Sequence, residues 1–198
     1  MHQIAPWFRS LPALGCTRNP YDTLVSHYEF RWWAQHPDFL GLDPAELRAR
    51  WPHYPDLSFA EFLELSNDVR GVEHWHGGAL ADRPGLATRA FVQMFAPDAD
   101  TARRVIRGGV PDDPGSVVAP VRFVHTEHLG DELAQFLADR GYSAAECDRV
   151  RNAERVFPPE GGRDDHQRDW RPYYTPELRA AVRHRERMLF ELFPEYDE

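Results

Sequence analysis

With 198 residues, 42% of them hydrophobic and 28% charged, the chain is long enough for one domain with a real core and too apolar to stay disordered. A net charge of −9 excludes a general nucleic-acid binder, which needs a basic surface. Any anionic ligand must therefore be held by a local cluster of arginines against the overall field.

In chain order, LPALGC (residues 11–16) reads as a short apolar strand in which Cys16 is a buried small residue. A helix follows. Asn19 is a good N-cap, Pro20 loses nothing by lacking an N–H in the first turn, and Asp22 favours the positive end of the helix dipole. Tyr21, Leu24, Val25, Tyr28 and Trp32 recur at helical spacing and make an apolar face. Arg18 at the strand end and Ser26 off that face remain, a guanidinium and a hydroxyl suited to a phosphate. An ordinary capped helix with a solvated arginine would use the same residues.

Over residues 36–80, Pro37, Pro44, Pro52 and Pro55 punctuate short helices, with starts at Asp43-Pro44 and Ser58. This stretch is rich in Trp, Tyr, His and Phe, which suits core packing and equally a ligand pocket. Gly85–Phe95 reads as a helix, and the Ala99–Arg107 segment after it carries three Arg. Val117–His125 alternates with β-branched residues and is expected as a strand, a parallel neighbour of the first. Leu129–Arg140 is expected as a crossover helix with Leu133, Phe136 and Leu137 facing in. Strand and helix in alternation imply an α/β layer structure. Ligands of open parallel sheets bind beyond the C-terminal strand ends, where Arg18 and the run His125, Thr126, Glu127 both fall. Thr175-Pro176-Glu177 opens a final amphipathic helix, with Leu178, Val182, Met188, Leu189, Leu192 and Phe193 as its buried side.

Other chemistries have weaker footing. His74 with His76, or His125 with His128, would need a third ligand such as Asp82 or Glu127, and neither has metal-signature spacing; no metal site is expected. Asp164-Asp165-His166 in a Gly-rich loop reads as a solvated charge run. No nucleophile-elbow sequence supports Ser-His-Asp catalysis. Cys16 and Cys147 give no disulfide framework and fit a reducing, cytoplasmic compartment, and no signal peptide or apolar run of membrane-spanning length is read.

TRNPYDTLVSHYEF (Thr17 to Phe30) resembles the 3′-phosphate-binding motif of sulfotransferases that use 3′-phosphoadenosine 5′-phosphosulfate (PAPS): an Arg with Asn directly after it, and a Ser eight residues on. Trp32-Trp33, LSFAEFLELSN (Leu57 to Asn67) and RFVHTEHLGDELAQFLADRG (Arg122 to Gly141) look like further landmarks of bacterial members. HQRDWRPYYTPELRAAVRHRERMLFELF (His166 to Phe193) looks like their C-terminal signature. The resemblance covers most of the chain in the expected order and is most specific at its two ends.

It implies a three-layer, parallel-sheet fold of the P-loop nucleotide-hydrolase type, helix-rich, as a single partial domain over 1–198 with 36–80 a helical acceptor-side insertion. It implies that Arg18 and Ser26 hold the 3′-phosphate of PAPS or of the product 3′,5′-adenosine diphosphate, with Thr126 at the neighbouring strand end. It carries Arg168 and Arg171 over as contacts from a cofactor-clasping loop, and His2 as the base. The implied activity is transfer of a sulfuryl group to a hydroxyl or amine of a small molecule, glycan or lipid. One part of the family pattern is not found. The phosphosulfate loop normally lies well upstream of the 3′-phosphate motif, yet only 17 residues precede Arg18, none reads as such a loop, and the chain contains no lysine. The expected fold therefore lacks the first strand and its loop, as in a fragment, a misplaced start or a degenerate member. A non-catalytic phosphate-binding module is the alternative; a nucleoside-phosphate kinase has no Walker-type sequence to rest on.

Overall fold

Val121, Phe123 and Val124 favour extended backbone, as β-branched and aromatic residues do on a half-buried pleat, and in the computed structural model they form one of the two strands among the described residues. The model describes residues 12–37, 43–68, 83–107, 110–153 and 169–197. Strands β1 (Ala13–Thr17) and β2 (Val121–His125) pair in parallel, with Gly15 opposite Phe123 and Thr17 opposite His125. The described residues are otherwise helix-rich, an α/β composition with a small sheet. The helices are α1 (Pro20–Phe30), α2 (Trp32–Gln35), α3 (Pro44–Arg50), α4 (Phe59–Asp68), α5 (Leu86–Phe95) and α6 (Ala99–Ile106) before β2. After it come α7 (Leu129–Ala138), α8 (Ala144–Arg151), α9 (Pro176–Arg185) and α10 (Arg187–Leu192). Among the described residues, no helix is long and apolar enough to cross a membrane.

The chain divides into two compact units. One gathers the described residues of Ile4–Asn19 and Pro120–Gly161, the other those of Pro20–Ala119 and Gly162–Glu198. In the smaller unit, α7 packs on β2 and on α8. Gly130 lies so close to α8 that a Cβ there would stand 3.1 Å from the Arg151 carbonyl oxygen. Ser143 and Glu146 start α8 with a reciprocal capping box.

In the larger unit the core is aromatic. Tyr21, Leu24 and Val25 of α1 are buried, and Tyr28 meets Phe59 edge-on at 5.4 Å and Phe62 at 5.6 Å. Trp33 packs on Tyr54 and Phe62. The described aromatic residues of the segment rich in Trp and Phe are thus largely core: Trp51, Phe59 and Phe62 are all buried. Helix starts at Asp43, Ser58 and Thr175 follow the side chains expected of them, and Asp98 adds a further cap. Asp43, Asp98 and Thr175 accept from the first-turn amides of α3, α6 and α9, and Ser58 pairs with Glu61 at the start of α4.

Four expectations need correcting. Cys16 is exposed: side chains alternate across a strand, and β1 turns Gly15 and Thr17 inward and Cys16 out. The second strand begins at Val121, because Pro114–Val117 forms a 3-10 turn capped by Asp113. Trp32 is exposed and Trp33 takes its place in the core, because α1 stops at Phe30 and Arg31 adopts left-handed backbone at φ 53°. The last helix is two helices, broken at Glu186, whose side chain is drawn fully inside.

That break serves another helix. Glu186 accepts from the backbone amides of Ala87 (3.1 Å) and Thr88 (2.7 Å) and from the Thr88 hydroxyl (2.6 Å). Its carboxylate satisfies the first turn of α5, whose N-cap, Gly85, has no side chain to do so. Burial pushes the Glu186 carboxyl up, against the pull of those donors and of buried Arg89.

Candidate phosphate site at the strand ends

Parallel pairing fixes what lies beyond the strands. Because Thr17 is opposite His125, the next residues, Arg18 and Thr126, leave adjacent C-terminal strand ends side by side. This is the position at which open parallel sheets take ligands. Arg18 and Thr126 are half-buried and Asn19 is buried. After β2 the chain tightens into a 3-10 turn, Thr126–His128, and leads directly into α7.

Two carboxylates of the smaller unit shape this end of the sheet. Glu132, in the first turn of α7, accepts from the His125 amide at 2.6 Å and lies 2.9 Å and 3.1 Å from His125 Nδ1. A carboxylate there calls for the proton on Nδ1 and fixes the ring. Burial raises the Glu132 carboxyl, but the hydrogen bonds from His125 outweigh it and the net shift is downward. Glu127 sits in the 3-10 turn. Its Oε1 accepts from the Asn19 amide at 3.3 Å, and its Oε2 lies 3.3 Å from the Thr126 hydroxyl.

The expected site residues fall as follows. Arg18 and Thr126 share the smaller unit and its strand ends. Ser26 is half-buried on α1, in the larger unit. Arg171 is exposed in the 3-10 turn Arg171–Tyr173 of that unit, paired with Asp169 at 3.3 Å and 5.1 Å from the Trp170 ring centre. His2 and Arg168 lie outside the described residues, as do His74, His76 and Asp164 to His166. Among the described residues no cluster of His, Cys, Asp and Glu is arranged to hold a metal ion.

At the strand ends the donor set is a guanidinium, a backbone amide and a hydroxyl, which fits a phosphate oxygen. An anionic oxygen of the chain's own, Glu127 Oε1, already accepts from that amide. For the phosphosulfate half the described residues offer no equivalent: β1 leaves through Arg18-Asn19 and β2 through Thr126–His128, and neither exit is glycine-rich. Sequence reading placed His125 to Glu127 at the strand end but not the contact of Glu127 with Asn19. The parallel register carried that signal, since Asn19 and Glu127 each stand two residues beyond a paired position. Compared with known proteins, the chain matches no family model, no curated protein and no solved structure.

Proposed function

We propose that the chain binds a 3′-phosphorylated adenosine nucleotide, PAPS or 3′,5′-adenosine diphosphate, and belongs to the sulfotransferase type, with the three-layer P-loop-like fold of that type. The observation that carries this reading is the parallel register of β1 and β2, which sets Arg18 and Thr126 together beyond two hydrogen-bonded strand ends. In this reading Arg18 forks onto the 3′-phosphate, and the Asn19 amide and Thr126 hydroxyl add neutral donors. PAPS, when bound, supplies an activated sulfuryl group for a hydroxyl or amine acceptor. The chain's own residues bind and orient the nucleotide.

Titration calorimetry with 3′,5′-adenosine diphosphate tests it. Binding should weaken about tenfold or more in Arg18→Ala, the size expected for one charge-assisted phosphate contact. An affinity indifferent to Arg18, or no binding, would sink the reading. Assay of sulfuryl transfer with PAPS then separates an enzyme from a phosphate-binding module that transfers nothing. The second reading is favoured by the exits of β1 and β2, neither of which is a glycine-rich loop.

A further inference from the structure

Both oxygens of Glu127 are committed to groups that a phosphate at the strand ends would use. Oε1 holds the Asn19 amide and Oε2 lies against the Thr126 hydroxyl, each at 3.3 Å. Asn19 is buried, so this amide has little water to turn to, and a buried amide needs an acceptor. Glu127 supplies one from an exposed side chain. A carboxylate and a phosphate monoester compete for the same donors, and a fixed negative charge between them raises the cost of the second anion.

We propose that Glu127 is an internal competitor for the phosphate, a specificity-determining residue that the nucleotide must displace. The proposal rests on the phosphate site described above. It makes affinity a difference between two anions. A monoester dianion, with three strong acceptor oxygens, outbids one carboxylate for the Asn19 amide and the Thr126 hydroxyl. A nucleotide whose only phosphate is elsewhere, or a ligand carboxylate, brings no such surplus. Glu127 therefore selects for a terminal phosphate monoester at this end of the sheet.

The test is calorimetric titration of the full chain, its Glu127→Gln variant and its Glu127→Ala variant with 3′,5′-adenosine diphosphate and with 5′-adenosine monophosphate. Glu127→Gln keeps an acceptor for the Asn19 amide, so the turn stays formed, which circular dichroism checks. Removing the charge should tighten 3′,5′-adenosine diphosphate about tenfold and leave the monophosphate, whose phosphate lies elsewhere, unchanged. Unchanged or weaker binding in both variants, with Arg18→Ala still harmful, overturns the competitor and leaves the phosphate site standing. No binding by the natural chain or either Glu127 variant overturns both.

Discussion

A Cβ placed on Gly85 would collide with Oε1 of Glu186. The backbone of Gly85 is ordinary, at φ −68° and ψ 176°, so glycine is required by the carboxylate and not by the conformation. Its amide also donates to the Arg185 carbonyl at 2.9 Å, which holds the loop close. Gly85→Ala should therefore destabilise the fold by about 3 kcal/mol, the upper part of the overpacking range, read as a lowered urea midpoint. A change near zero would mean that Glu186 does not sit against this backbone.

The carboxylate itself gives the second prediction. Glu186→Ala strands the Ala87 and Thr88 amides and leaves buried Arg89 without its neighbouring charge. The expected loss is about 3 kcal/mol; Glu186→Gln, which keeps an acceptor, should lose less. Because burial raises the carboxyl, the native state holds this proton more firmly than the unfolded chain does. The stability linked to that proton is fully present below the ordinary value of 4.5 and is lost as pH rises through the raised one. The stability advantage of the natural chain over Glu186→Gln should thus shrink as pH climbs above about 4.5. Urea unfolding across that window measures it, and an advantage that grows with pH contradicts it.

Glu61 behaves in the opposite sense. Hydrogen bonds from the Ser58 hydroxyl and amide, with His53 beside it at 3.0 Å, bring its carboxyl down to about 2. Its contribution is present above the ordinary 4.5 and lost as pH falls towards 2. Ser58→Ala removes the largest cause, so NMR titration of the Glu61 carboxyl carbon should move back towards the ordinary value. A carboxyl that still titrates near 2 in the variant would show that Ser58 is not responsible.

Around Tyr21 the expected losses differ by mechanism. Trp170 stacks on the Tyr21 ring at 4.7 Å and is buried, so Trp170→Ala should cost about 4 kcal/mol through the cavity it leaves. Tyr174 donates its hydroxyl to the Tyr21 carbonyl at 3.0 Å, and Tyr174→Phe should cost about 1 kcal/mol while the packing survives. Equal losses in thermal unfolding would assign the stability to the hydrogen bond instead of the ring.

Arg18→Lys tests geometry apart from charge. A lysine keeps the charge but not the planar fork, so it should recover only part of the affinity for 3′,5′-adenosine diphosphate lost in Arg18→Ala. Full recovery in calorimetry would mean that a point charge suffices and the fork plays no part.

Much of the frame was legible because its signals are local. The alternation in Val121–His125, the caps at Asp43, Ser58 and Thr175, and Pro20 in the first turn of α1 each act within a few residues, and each appears where its chemistry puts it. The site was legible as far as its strand ends, since parallel order follows from strand–helix alternation. Glu186 was not: in HRERMLF it looks like one solvated charge among several, and its partners stand 98 and 99 residues away. Cys16 misled because an apolar run does not reveal which of its two faces is covered. Glu127 was visible as a strand-end residue, but its contact needs the register of two strands that lie over a hundred residues apart.

The cap of α5 has a consequence for the order in which the protein is made. Ala87 leaves the ribosome 99 residues ahead of Glu186, an interval of roughly 5–20 s at ordinary synthesis rates. Throughout it, the first turn of α5 lacks the acceptor that later satisfies it. A nascent chain stalled ahead of Glu186, or one clipped there, leaves the Ala87 and Thr88 amides without this acceptor, far upstream of the damage. For this protein, the start of α5 is completed only once Glu186 has been synthesised.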